Sequence, residues 1–237
     1  MSLDEKAWQA VRSRIALAAR RAGRDPATVS LLAVSKGQPV AAVGAAYTLG
    51  QRAFGENYVQ EATAKAALLA TLPGIEWHLI GPLQSNKVRA AAACFAWVQT
   101  IDRVKIAERL TAARNGQAAP LNICVQVNIS GEASKSGVTP SEALPLAHAI
   151  AALPRIALRG FMGIAEETPD GARQRAQFRV LRELFDAGRA DGLALDTLSM
   201  GMSADLEAAI AEGATLVRIG TALFGERGPA TREGAAA

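Results

Sequence analysis

Lys36 closes a run of strand-forming residues, Ser30-Leu-Leu-Ala-Val-Ser-Lys36-Gly37, so an amine stands where a buried strand opens into a loop. Burial lowers a lysine's pKa, and a less protonated ε-amine attacks a carbonyl to form a Schiff base. A strand-end lysine that snorkels to water is the other reading of the same position. Two later segments bear on the choice. Ser199-Met-Gly-Met-Ser203 and Arg218-Ile-Gly220-Thr221 each end a short apolar run in glycine and hydroxyl residues, just before a helical pattern. Such turns suit an oxyanion: glycine admits close backbone approach, helix N-termini present N–H groups, and Ser203, Thr221 and, less directly, Ser199 offer hydroxyls. Taken singly, either loop also reads as a tight turn with a capping hydroxyl.

Together these features narrow the chemistry. A lysine on one strand, two phosphate-type loops and Arg218 beside them make one coherent site for a phosphorylated aldehyde, and pyridoxal 5'-phosphate fits that description. Lys36 would hold the aldehyde carbon, the two loops the phosphate, and Arg218 would face the pyridine nitrogen. An arginine cannot take up the pyridinium proton as a carboxylate can, so the ring would stay largely neutral and be a weaker sink for carbanion electrons.

Residues so far apart in the chain need a scaffold that gathers strand ends. Apolar residues at helical spacing (Leu3, Ala7, Val11, Ile15, Ala18, Ala22) predict an amphipathic leading helix over 3–24, stopping near Gly23 before Asp25-Pro26. Strand patterns follow at 30–36, 52–55, 76–80, 97–101, 121–129, 158–163, 197–200 and 216–219. Helical patterns lie at 40–49, 59–72, 86–93, 103–115, 140–153, 171–189 and 205–212. Eight strands alternating with helices predict an α/β fold of the closed (β/α)8 type, a TIM barrel, with an open doubly wound sheet as runner-up. No Pro/Gly/Ser-rich linker divides the chain, so one domain over 1–237 is expected, with the leading helix within 1–25 and a frayed Gly/Ala-rich tail at 228–237. In such barrels the site lies at the C-terminal ends of the strands, and the loops after the seventh and eighth frequently bind phosphate.

Composition excludes several classes. With 50% hydrophobic and 20% charged residues the 237-residue chain has ample core material. No apolar run approaches the roughly 20 residues of a membrane span, and the opening residues lack a signal peptide's order, so a cytoplasmic location is expected. Cys94 and Cys124 lie in apolar surroundings without a CxxC spacing and read as reduced core thiols. A net charge of +4 is spread over scattered basic residues, and aromatics are only 5%, so nucleic acid is not an expected partner. His78 and His148 are the only histidines, which leaves no metal-binding cluster and no Ser-His-Asp set to expect.

The segments Val34-Ser-Lys-Gly-Gln-Pro39, Phe54-Gly-Glu-Asn-Tyr58, Trp77-His-Leu-Ile-Gly-Pro-Leu-Gln-Ser-Asn-Lys87, Ser134-Lys-Ser-Gly137, Gly160-Phe-Met-Gly163, Ser199-Met-Gly-Met-Ser203 and Val217-Arg-Ile-Gly-Thr221 resemble the YggS/PROSC family of pyridoxal phosphate homeostasis proteins. The resemblance runs from about residue 30 to 225. It implies a fold-type III barrel like the N-terminal domain of alanine racemase, with Lys36 as the Schiff-base lysine. Asn57, Ser199, Met200, Ser203, Arg218, Gly220 and Thr221 would border the cofactor. His78 is a secondary candidate that reads equally as a structural histidine, and Glu56 and Tyr58 would serve only to fix their loop.

The resemblance also implies a role in vitamin B6 and amino-acid homeostasis, carrying or buffering the cofactor for PLP-dependent apoenzymes rather than turning over a substrate. Lys135, in a family loop after the fifth strand, could receive the cofactor as a second amine or could be an ordinary loop lysine. Family members often carry another lysine two positions after the Schiff-base lysine, where this chain has Gln38, which puts in doubt any transfer route through that position. Alanine racemase adds a β-rich domain and a tyrosine from its partner subunit, whereas this chain ends soon after its eighth strand. The expectation is therefore a monomer without two-base racemisation. The alternatives are a PLP-dependent racemase or lyase of low activity, or a barrel for another phosphorylated ligand.

Overall fold

The computed structural model describes residues 4–225 except 117, 133 and 134, so the expected frayed tail at 228–237 lies outside the described residues. Strands β1 (Ser30–Val34), β2 (Ala53–Glu56), β3 (Glu76–Leu79), β4 (Trp97–Ile101), β5 (Leu121–Val127), β6 (Ile156–Gly163), β7 (Thr197–Ser199) and β8 (Leu216–Ile219) form one closed parallel barrel in chain order. Helices α2 (Val40–Thr48), α3 (Val59–Leu68), α4 (Val88–Cys94), α5 (Val104–Ala113), α6 (Pro140–Ala151), α7 (Gly171–Ala190) and α8 (Leu206–Ala211) cross between successive strands, and α9 (Thr221–Phe224) follows β8. Pairing of Ser30, Leu31, Leu32 and Ala33 with Leu216, Val217, Arg218 and Ile219 closes the ring. The ring is the closed (β/α)8 barrel that the eight alternating strand and helix patterns predict, and not the open doubly wound sheet.

The leading helix α1 (Glu5–Arg21) starts where the Asp4 carboxylate accepts the Lys6 N–H, and it ends with Arg20 and Arg21 in its last turn, charges that suit the helix dipole at each end. Its buried face is Val11, Ile15, Ala18 and Ala19. Several elements stop short of their apolar patterns, β1 and α3 among them. β1 ends at Val34, because Ser35 donates its N–H to Gly55 and then accepts from Gln38, which turns the chain at Lys36-Gly37. Helix α3 ends at Leu68 instead of continuing to 72, where Leu72 bonds back to Leu69 as a turn.

The seam between β5 and β6 carries one irregularity. Ile123 pairs with Leu158 but Cys124 pairs with Gly160, so Arg159 is an extra residue in β6. Its guanidinium bonds to Asp196 and Asn122 and lies 5.0 Å above the Trp97 ring. Gly160 follows at φ +155°, with its α-carbon facing the Thr197 carbonyl.

Both cysteines are unbridged. Burial pushes the Cys124 thiol up to about 12, and burial raises Cys94 as well. Because the thiolate is the reactive form, native protein at pH 8 is expected to leave Cys124 unalkylated by iodoacetamide while a denatured control reacts fully. Peptide mass mapping reads the result, and rapid labelling of native Cys124 would show that the barrel wall opens. No helix among the described residues is long and apolar enough to cross a membrane.

Candidate functional site

At the C-terminal ends of the strands a cavity of about 370 Å³ is lined by Lys36, Asn57, Ser203, Arg218, Gly220 and Thr221, with Val34, Ile80 and Ile164 as apolar walls. These groups come from the ends of β1, β2, β7 and β8 and the loops that follow them. Lys36 is half-buried just beyond β1, and Asn57 follows β2. Gly220 leads into α9, the end of a helix at which backbone N–H groups have no acceptor within the helix. A side chain at Gly220 would put a Cβ 3.2 Å from the Val34 carbonyl, so glycine permits β8 to approach β1 this closely.

The Ser203 loop is held from two sides. The Asp205 carboxylate accepts the Met202 N–H at 2.5 Å, while Arg14 of α1 donates to the Ser203 carbonyl at 2.7 Å and pairs with Glu207. The leading helix thus braces a loop of the cavity as well as covering the barrel. Burial raises the Asp205 carboxyl above its ordinary range, against the opposing pull of Arg218.

Arg218 is 5% exposed, and its guanidinium donates to Ser199 O at 2.6 Å, Ser199 Oγ at 2.9 Å and Gly163 O at 2.9 Å. Burial lowers its pKa to about 10, which still leaves it charged at neutral pH. Beneath it a chain of side chains crosses the barrel. Ser199 Oγ donates to Gln99 Oε1 at 2.6 Å, and Gln99 Nε2 lies 2.8 Å from His78 Nδ1. β4 and β7 are not neighbours, so their side chains can meet only through the barrel interior. The His78 ring stacks on Trp97 at 5.1 Å, and burial lowers its pKa against the opposing pull of Glu76.

The structure therefore gathers Lys36, Asn57, Ser203, Arg218, Gly220 and Thr221 around one cavity and leaves four candidates outside it. Ser199 is fully buried one layer below, where it orients Arg218. Met200 is fully buried in the hydrophobic core. His78 stands deeper in the barrel, at the far end of the Arg218 chain. Lys135 lines an adjoining cavity of about 240 Å³ that shares Asn57, Ile80 and Ile164 with the first, and its ammonium bonds to the Ala165 carbonyl and to Glu132 at 2.5 Å. Glu56 is fully buried and accepts from Ser35 Oγ, while Tyr58 is exposed.

Sequence reasoning passed over Glu166, Glu167 and Thr168 after β6, and Gln174 of α7, all of which line the cavity. They sit in or beside an irregular loop without a motif. Gln99 carried a usable signal, a lone amide inside an apolar strand. A larger recess of about 480 Å³ at the opposite end holds Arg12 and Arg52, each stacked on an aromatic ring, and its lining offers the Ser30 hydroxyl but no lysine, cysteine or carboxylate. Among the described residues no group of three or more His, Cys, Asp or Glu side chains could hold a metal.

An amine, a fixed guanidinium, hydroxyls and a glycine-led helix start converge on one cavity whose size is ordinary for small ligands. That donor set suits a ligand with a carbonyl at one end and an anionic group at the other. The family model for the N-terminal domain of alanine racemase matches residues 7–228. A pyridoxal phosphate homeostasis protein of Pseudomonas aeruginosa is 59% identical over 218 residues, covering 92% of this chain and 93% of its own. The chain belongs to the pyridoxal phosphate homeostasis protein family. A solved structure similar to this member of the family is PipY of Synechococcus elongatus with PLP bound, 41% identical, with a TM-score of 0.77 over 89% of this chain and 100% of that one. Alanine racemase of Corynebacterium glutamicum shares 19% identity over 93% of this chain and 60% of its own, with a TM-score of 0.64, a likeness of fold alone. The pyridoxal phosphate homeostasis proteins and the racemase domain thus share one barrel plan.

Proposed function

We propose that this protein binds pyridoxal 5'-phosphate, holding the aldehyde covalently on Lys36, and serves to buffer or deliver the cofactor without turnover of its own. The observation that carries the reading is the convergence of Lys36, Arg218, Ser203, Gly220 and Thr221 on one cavity. The cofactor suits this donor set, since it supplies an electrophilic aldehyde, a phosphate and a pyridine ring. Lys36 provides the amine, and Ser203, Thr221 and the amides opening α9 provide donors for phosphate oxygens. Arg218 faces the ring nitrogen as a hydrogen-bond donor. Three bonds to fixed acceptors on β6 and β7 hold the guanidinium in place, and it does not act as a proton source near neutral pH. A neutral ring disfavours carbanion chemistry, which supports holding over catalysis. We further propose a cytoplasmic monomer of one domain whose recipients are PLP-dependent apoenzymes.

The test is a titration of purified protein with pyridoxal phosphate, followed by borohydride reduction and peptide mass mapping. A visible band and a reduced adduct on Lys36 are expected. A colourless mixture with no adduct would overturn the reading. Turnover of any amino acid at about 1 per second or more would replace the carrier role with an enzymatic one.

A further inference from the structure

Lys36 is flanked by a largely buried charged cluster that lines none of the cavities described above. Helix α3 presents Glu61 and Lys65, one turn apart, to the loop that carries Lys36. Lys65 Nζ donates to Ser35 O at 2.7 Å, to Glu56 Oε1 at 2.8 Å and to Glu61 Oε1 at 2.7 Å. Glu61 Oε1 in turn accepts the Gly37 N–H at 2.6 Å, and Glu56 Oε1 accepts from Ser35 Oγ at 2.6 Å.

The geometry has a specific target. Ser35 O belongs to the peptide that precedes Lys36, and the Gly37 N–H belongs to the peptide that follows it. Fixing both peptide planes fixes the two backbone dihedrals of Lys36, and with them the direction of its Cα–Cβ bond. Lys65 is 5% exposed, with all three ammonium hydrogens matched to acceptors. A buried ion pair is a poor means of gaining stability, because an apolar pair of similar volume commonly does as well. Its hydrogen bonds nonetheless converge on the one turn that carries the reactive amine.

We propose that Lys65, acting together with Glu61, is a positioning residue that aims the Lys36 amine at the aldehyde without itself touching the cofactor. The inference rests on the reading of Lys36 as the covalent link. That link forms with loss of one water, whose oxygen leaves the aldehyde and whose two hydrogens leave the amine, so its rate depends on the approach of nitrogen to carbon. Phosphate binding on the far side of the cavity does not depend on that approach.

The experiment compares full-length wild type, Lys65→Met and Glu61→Ala with two ligands, pyridoxal 5'-phosphate and pyridoxine 5'-phosphate, which carries an alcohol in place of the aldehyde. Lys65→Met is expected to slow the appearance of the visible band by about tenfold or more, while its affinity for pyridoxine phosphate stays within about twofold of wild type. Glu61 is partly exposed, so Glu61→Ala should fold normally and show a smaller shift in the same sense. If Lys65→Met does not fold, Glu61→Ala decides the matter. Wild-type rates in the folded variants, or equal losses for both ligands, would overturn the proposal. Failure of wild type itself to form a borohydride-stable adduct on Lys36 would instead overturn the parent reading, and this inference with it.

Discussion

Lys36→Ala is expected to abolish the visible band that pyridoxal phosphate gains on binding, yet to leave a weaker, colourless complex. The two parts of that outcome come from separate contacts. The proposed covalent link needs the amine, whereas Ser203, Arg218, Gly220 and Thr221 reach the cavity from β7, β8 and the loops that follow them. Removing the amine should cost about a hundredfold in affinity for the aldehyde form, or about 3 kcal/mol, and almost nothing for pyridoxine phosphate. The unliganded fold should be nearly indifferent, because Lys36 lies beyond the end of β1 and is half-buried, so the melting temperature without ligand should match wild type. Calorimetric titration with both ligands measures the split. Complete loss of pyridoxine phosphate binding would show that the lysine, and not the loops, organises the cavity.

Gly160→Ala should produce the largest loss of stability of any single methyl added to this barrel. A Cβ at 160 would fall on the carbonyl oxygen of Thr197, a backbone atom with nowhere to go, and φ +155° is itself a conformation that L side chains rarely adopt. β7 is only three residues long, and Gly160 pairs with Thr197 at its first position, so the seam to β6 has little length over which to absorb a shift. We expect a loss of about 4 kcal/mol or more, or failure to fold, read by urea denaturation. Gly44→Ala is the control, since it lies within α2 with open space around it and should stabilise the protein by up to about 1 kcal/mol. A Gly160→Ala protein with a wild-type midpoint would mean that β7 can slide.

The sequence was most legible where local pattern and global fold agree. Each barrel strand announced itself through a short apolar run, and the polar residue ending such a run marked a cavity position at Lys36 and Asn57. The misplacements have physical causes. β7 is too short for period-two alternation to say which residues face inward, so Ser199 and Met200 could not be told from true cavity residues. His78 and Gln99 sit within strands, where a polar side chain signals burial but not its depth. Lys65 was invisible for another reason. On a surface helix a lysine is ordinary, and only the tertiary structure shows its ammonium turned inward onto Ser35 and Glu56. The extra residue at Arg159 leaves no trace in hydrophobic periodicity, so the demand for glycine at 160 follows from register alone.

The pairing of β1 with β8 also sets a timetable. Lys36 follows the first barrel strand to be made, and Arg218 lies on the eighth, 182 residues later by numbering, yet ring closure makes them walls of one cavity. A growing chain that has made its amine has not yet made the loops proposed to retain a phosphate. On the proposed reading, cofactor capture therefore waits until the barrel is sealed. Tight retention of the cofactor would then report that the last strand has docked.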